Sequence, residues 1–430
     1  MAIFRKLLFW THLITGSLAG IVILIMSLTG VLLTYEKQMI SWSDREYRVA
    51  LPSANASPLP AGALVAKMLA SGKEQPEGLT WESDPEAPVA LSYGRDTIYA
   101  NPYTGEILGA PTTGMRAFMS SMREWHRWLA ASGESRATGR AITGASNVIF
   151  LFLVVSGLYL WMPRRWTWKH LKPIVLFRGG LGGKARDFNW HNVAGFWTAI
   201  PLFFVVLSAM VISYPWFSQL VIRLADGETA ASSTGPGGAR GAGPGGARGA
   251  GPGGPRGGGP GGRGGGPGAE RPAATPVDPA ALDAAYAKVL QEPDWKTISF
   301  RLPHNPKHPL SALVSRGTGG QPQLRDTLNI ALTPASPASA EAAAVAATAT
   351  VVERETFESQ SLGRRVRSWM RFVHTGEYYG LTGQTIAGIA SAAGVLLVYS
   401  GFALALRRFW AWRKRRASAT VREPAQTVEA

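Results

Sequence analysis

Four of the seven histidines stand at positions where an imidazole could do chemistry. His12 opens the stretch WTHLITGSLAGIVILIMSLTG and His191 opens WHNVAGFWTAIPLFFVVLSAM, both otherwise apolar and long enough to cross a bilayer. Each is followed four residues on by a glycine, Gly16 or Gly195, and eight residues on by a small residue, Gly20 or Ala199. Positions i, i+4 and i+8 share a helix face. Each imidazole therefore stands above a stripe without side-chain bulk, a surface for a flat ligand or for another helix. His126 and His374 sit in amphipathic patterns, with Arg123 and Arg371 three residues ahead on the same helical face. Imidazole binds metals and guanidinium pairs with carboxylates, so these residue types point to a metal-containing, anionic group.

The elements that must position them are membrane spans. Apolar runs cover residues 13–35, 141–162, 193–214 and 386–406, each near the ~20 residues that a ~30 Å hydrocarbon core requires. Arg5 and Lys6 precede the first run as in a secretory signal. The run is too long for one, however, and no cleavage motif follows closely, so an uncleaved anchor is expected. Lys and Arg concentrate before the first span, between 164 and 186, and between 407 and 416. With four spans these segments share one side, which puts both termini in the cytoplasm and two long segments outside, in the periplasm of a bacterial inner membrane. Much of the net charge of +16 lies at those span ends or in a glycine tract and implies no nucleic acid. Cysteine is absent, which excludes iron–sulfur clusters and thioether-attached haem.

The outside segments read as small α+β domains. In the first, a helical pattern at 61–70 precedes strand patterns at 88–93 and 97–100 and a turn over 102–105. In the second, a helix at 279–291 precedes strands near 297–301, 310–315, 325–330 and 349–353. The tract 235–268 repeats units such as GPGGARGA and is expected to be a disordered tether. Residues 179–184, GGLGGK, resemble a phosphate loop only superficially and read as a turn. The chain thus divides into a first span (1–35), an exterior domain (36–114), a surface helix with the second span (115–162), a cytoplasmic loop (163–190) and a third span (191–214). A second exterior domain (215–361), a surface helix with the fourth span (362–406) and a basic cytoplasmic tail (407–430) follow.

Two halves of the chain can be superposed by motif. Ser120-x-Met122-Arg123-x-x-His126 returns as Ser368-x-Met370-Arg371-x-x-His374, and Thr138-Gly139-x-x-Ile142-x-Gly144 as Thr382-Gly383-x-x-Ile386-x-Gly388. Leu153-Val154-x-Ser156-Gly157 then returns as Leu397-Val398-x-Ser400-Gly401. Both copies run the same way across the membrane, so the expected pseudo-twofold axis lies along the membrane normal. Across it His12 can face His191 near the cytoplasmic side, and His126 can face His374 near the outer side. A facing histidine pair is the axial ligand set of a b-type haem, so two haems are expected, with Arg123 and Arg371 placed for the propionates. A single histidine at a helix end is usually interfacial and spaced glycines usually pack helices. Two symmetric pairs favour ligation, because ionisable groups in membrane helices are usually functional. His304 and His308, in a proline-broken segment, and His170, in a basic connection, read as surface or interfacial residues.

FWTHLITGSLAGIVILIMSLTGVLLTYE, YANPYTGEILG, EWHRWL, DFNWHNVAGFW and QSLGRRVRSWMRFVHTGEYYGLTGQTIAG together resemble the PepSY-associated transmembrane family, iron-regulated inner-membrane proteins that include ferrisiderophore reductases. The resemblance implies an α-helical membrane protein with a four-helix core from two parallel repeats and two periplasmic PepSY-like domains. It also implies haem b as cofactor and a ferric siderophore or other iron chelate as electron acceptor. No flavin or nicotinamide fingerprint is present, so the donor is expected to be a quinol or a separate cytoplasmic molecule. The rival expectation is a membrane-anchored PepSY binding or regulatory protein without redox activity.

Overall fold

Every apolar run falls in a long helix, three of them running to its C-terminal end and the fourth lying inside it. The computed structural model describes residues 2–94, 96–163, 165–227, 276–303, 308–335 and 346–422; the glycine tract 235–268 and His304 lie outside them. The helices are α1 (Ala2–Leu33), α2 (Glu36–Ser43), α3 (Ala61–Ala70), α4 (Thr113–Trp128), α5 (Ser135–Trp161) and α6 (Trp168–Val175). They continue as α7 (Gly183–Ser213), α8 (Pro215–Asp226), α9 (Pro279–Val289), α10 (Leu362–His374) and α11 (Gly380–Arg422). By length and composition Ile3–Leu33, Ser135–Trp161, Gly183–Ser213 and Glu377–Ala417 can each cross a membrane, which makes this a membrane protein.

One compact unit takes in Met1–Thr34, Ser121–Val221 and Met370–Ala430. Within it α1 packs on α5 and α11, and α7 packs on the same two helices. The four spans thereby close a ring. Ser27, Thr29, Ser156, Ser208 and Ser400 are buried inside it, whereas Leu18, Ile21, Ile200 and Ile389 are exposed. Polar inside and apolar outside is the distribution that a hydrocarbon solvent favours. Helices are tied through backbone acceptors: Asn147 donates to the Val206 carbonyl at 3.1 Å, Arg140 to Ser213 at 3.0 Å and Gln384 to Thr34 at 2.9 Å. Asp187, fully buried, pairs with Arg186 at 2.9 Å and with Arg407 of α11 at 3.1 Å.

The second unit takes in Tyr35–Ser120 and Ile222–Trp369. Its strands are β1 (Gly78–Glu82), β2 (Val89–Tyr93), β3 (Asp96–Ala100), β4 (Ile107–Gly109), β5 (Thr297–Arg301), β6 (Leu310–Ser315), β7 (Arg325–Thr333) and β8 (Thr348–Glu355). All pair antiparallel in the order β4-β3-β2-β1-β5-β6-β7-β8. Alternating burial along β7 turns Leu328 and Ile330 inward. They join Leu79, Leu91, Ile298 and Leu310 in one core with Leu64, Val65 and Met68 of α3 and Leu282 and Val289 of α9. Fully burying such a side chain contributes about 1.5–3 kcal/mol.

The sequence leads to two small exterior domains; the structure joins their strands into one sheet. The junction pairs β1 with β5 from Gly78 opposite Arg301 to Glu82 opposite Thr297. Alone, each half would leave β1 or β5 as an open edge and would have a small core; pairing removes both edges and merges the cores. Strand β1 escapes a periodicity search because four successive residues in it are buried. Short α2, α6 and α8 add to the elements read from the sequence; α6 and α8 are amphipathic.

Helices α3 and α9 pack side by side over this junction. The Gly62 amide donates to Asp283 at 2.5 Å, and a Cβ on Gly62 would stand 2.0 Å from the Pro279 carbonyl oxygen. Gly62→Ala is therefore expected to lower stability by about 1–3 kcal/mol through overpacking. The denaturant midpoint of the purified protein checks this, and an unchanged midpoint would refute the close approach.

Candidate functional site

All four histidines singled out in the sequence lie in the helical unit, and each has its Nδ1 held by a different helix. His12 of α1 meets Ser156 Oγ of α5 at 2.8 Å, and His191 of α7 meets Ser400 Oγ of α11 at 3.0 Å. His126 of α4 meets Thr29 Oγ1 of α1 at 3.0 Å. His374 of α10 meets the Val205 carbonyl of α7 at 2.9 Å, with Ser208 Oγ at 3.5 Å.

For His374 the partner fixes which ring nitrogen carries the proton, and for the other three the surroundings accord with the same choice. The Val205 carbonyl can only accept, so His374 Nδ1 must donate. Ser400 already donates its hydroxyl hydrogen to the Leu396 carbonyl at 2.7 Å, and Thr29 donates to Ile25 at 2.6 Å. Their oxygens are left as acceptors for the Nδ1–H of His191 and His126. Ser156 has the same option through Leu153 at 3.4 Å. In each neutral imidazole Nε2 then carries the free lone pair, the atom and protonation state that a metal uses.

The structure brings His126 and His374 together, with ring centres 6.1 Å apart and planes inclined at 58°. A metal–imidazole bond is about 2 Å, so two rings on opposite faces of one ion have centres about 6 Å apart. Burial first, and then the neighbouring His374, push His126 down to about 4; burial also lowers His374. Both shifts favour the neutral ring, the form that metal binding requires.

Small residues make room for the rings. A Cβ on Gly157 would come within 3.3 Å of His12 Cε1, and one on Gly401 within 3.6 Å of His191 Cε1. Gly16 and Gly195 face Leu153 and Leu397 of the neighbouring helices, at 3.5 and 3.6 Å from where a Cβ would stand. Arg123 and Arg371 lie one turn ahead of His126 and His374 on α4 and α10, with the Arg371 guanidinium 5.4 Å from the Phe372 ring centre. His170 bonds locally to Thr167 at 2.7 Å, and His308 is exposed.

The hydroxyl partners of the histidines were not singled out in the sequence. Ser156 and Ser400 do belong to the recurring Leu-Val-x-Ser-Gly motif, and Thr29 and Ser208 each follow their histidine, His12 or His191, by 17 residues. That recurrence was the available signal. Among the described residues no group of three or more His, Cys, Asp or Glu could hold a bare metal ion. Paired imidazoles alone suit a metal that arrives with its own equatorial donors.

No curated protein matches the chain. The family model described as the PepSY-associated TM region matches residues 9–408, and on that match across nearly its whole length the chain belongs to this family.

Proposed function

We propose that the protein is a haem b reductase of a bacterial inner membrane. In this reading it passes electrons from a quinol or cytoplasmic donor to a ferric siderophore or other iron chelate in the periplasm, releasing ferrous iron. The observation that carries it is the shared setting of His12, His191, His126 and His374, each with Nδ1 hydrogen-bonded to another helix, with the last two 6.1 Å apart. The residues present fit two haems, held by His12 with His191 and by His126 with His374. A bound haem supplies reversible one-electron transfer at its iron. The protein holds each of the four rings by a hydrogen bond at Nδ1, shields them between helices and would place Arg123 and Arg371 toward the propionates.

Matching contacts support two parallel copies: Ser156 with Ser400, Thr29 with Ser208, and Gly157 with Gly401 occupy equivalent places around their histidines. In this topology both termini are cytoplasmic and residues 36–114 and 215–361 are periplasmic. The test is the reduced-minus-oxidised absorption spectrum of the purified protein with haem quantified. A b-type spectrum with two haems per chain is expected; colourless protein from haem-replete cells would end this reading.

The serine hydroxyls give a finer prediction. Ser400→Ala removes the acceptor of the His191 Nδ1–H, and loss of such an outer partner weakens metal binding by about 10–100-fold. Haem titration of this variant should show one weakened site and one unchanged. Two unchanged sites would exclude a role for Ser400.

A PepSY-type binding or regulatory protein is the second reading. The sheet favours it by ending on β8, an eight-residue strand with one open edge and mostly exposed side chains, where a partner strand could add.

A further inference from the structure

The corner between α4 and α5 gathers more positive charge than the bundle needs. Arg127 lies one turn after Arg123 on α4, Arg136 is in the first turn of α5, and Arg140 follows one turn later. The Arg127 and Arg136 guanidiniums stack on one ring, that of Trp128, at 4.7 and 3.6 Å from its centre. Arg140 reaches the Ser213 carbonyl. Arg127 and Arg140 are exposed and Arg136 is half-buried, so all three are accessible to a ligand. Among the described residues none of the three forms an ion pair.

Holding these charges together is unfavourable. Two guanidiniums share the single Trp128 ring, and like charges held this close repel. The backbone is strained at the same corner: Leu129 and Ala130 have φ of 53° and 57°, a region that residues with a Cβ avoid. Thr143 fastens it by donating to the Arg127 carbonyl at 2.9 Å.

The second half builds the equivalent corner without this charge. Aligned on the recurring motifs, Arg127, Arg136 and Arg140 correspond to Thr375, Gly380 and Gln384. Gln384 donates to the Thr34 carbonyl much as Arg140 donates to Ser213. An amide suffices for the tether, so the three positive charges answer to something other than the fold. They are also on one side only, unlike the matched Arg123 and Arg371. They flank His126 in sequence and join the field around the His126/His374 pair.

We propose that Arg127, Arg136 and Arg140 form the docking site for the iron substrate, and that this substrate is a ferric chelate of net negative charge presenting carboxylate, catecholate or phosphate oxygens. Guanidinium forks match such oxygens two at a time. The proposal deepens the reductase reading and rests on it. The three residues bind; a haem held by His126 and His374 would supply the one electron that turns the chelate's Fe(III) into Fe(II), its own iron going from ferrous to ferric, and no proton is needed.

The test is equilibrium binding to the full chain in nanodiscs of zwitterionic lipid, with redox-inert gallium(III) citrate as the anionic probe and a neutral gallium(III) trihydroxamate as its control. The anionic complex is expected to bind about tenfold tighter or better, with the preference shrinking as salt is raised. The Arg127→Gln/Arg136→Gln/Arg140→Gln protein should lose the preference while keeping its haem content. If that triple variant fails to fold, Arg140→Gln, which copies the residue of the second half, should weaken citrate binding about threefold by itself. Equal affinity for the two probes, or substitutions without effect, would overturn the proposal. So would citrate binding that vanishes when phosphatidylglycerol is added, which would assign the arginines to a lipid headgroup. Charge-selective binding by a protein without haem would keep the site and discard the reductase reading; two haems with indifferent binding would do the reverse.

Discussion

A His374→Ala protein is expected to purify with about one haem in place of two, and to lose most chelate-dependent reoxidation. The reason is local. His374 is the partner that faces His126 at 6.1 Å, and its Nδ1 is already bound to Val205, so Nε2 is the nitrogen left for a metal. The hydroxyls nearby, Thr29 and Ser208, are turned to carbonyls of their own helices and are poor iron ligands. A single remaining axial histidine cannot maintain a six-coordinate haem. His12→Ala should remove the other haem and leave the His374-dependent one. Haem quantification and the low-temperature spectrum of each variant check this. If either substitution leaves both haems in place, the pairing of His126 with His374 or of His12 with His191 is wrong.

The largest expected loss of stability is at Asp44. Its carboxylate lies at the end of α2, only 7% exposed, and is bound by Arg116 of α4, itself 8% exposed. Arg116 donates to Oδ1 at 2.7 Å and also to Oδ2, Tyr99 of β3 donates to Oδ2 at 2.9 Å, and the Thr112 amide donates to Oδ1 at 3.2 Å. Removing one member of a buried pair strands the other, so Asp44→Ala is expected to cost about 3–5 kcal/mol. Arg48 makes two ion pairs at 2.7 and 2.8 Å, but all three side chains are more than 40% exposed. Arg48→Ala should therefore cost no more than about 1 kcal/mol. Denaturant midpoints of the two variants measure the contrast, and similar losses would refute the ranking.

The same carboxylate makes stability depend on pH. Desolvation by itself would raise Asp44, but hydrogen bonds from Arg116, Thr112 and Tyr99 and the charge of Arg116 outweigh it and hold the group below its ordinary value. The unfolded chain then takes up the proton first. The stabilisation is complete above the unfolded value of about 4 and is lost as pH falls through the lower folded one. Asp44→Asn should flatten the stability curve in that acidic window, and an unchanged slope there would show that another carboxylate dominates.

The sequence by itself determined the four spans, since 20 apolar residues in a row have few other uses, and it singled out the four histidines by recurrence, His12 and His191 with Gly16 and Gly195, His126 and His374 with Arg123 and Arg371. It also located most strands of the sheet unit, because β5, β6 and β7 alternate between core and surface. What it did not reveal depends on residues distant in the chain. The pairing of β1 with β5 joins strands more than 200 residues apart, and β1, buried along four consecutive residues, carries no alternation to read. The partners of the ring nitrogens were equally hidden: they are Ser156, Thr29, Ser400 and the Val205 carbonyl, each on a helix other than that of its histidine. A sequence records which side chains could bind iron; only packing decides which nitrogen of each ring is left to do so, because the hydrogen bond that occupies the other one comes from a neighbouring helix.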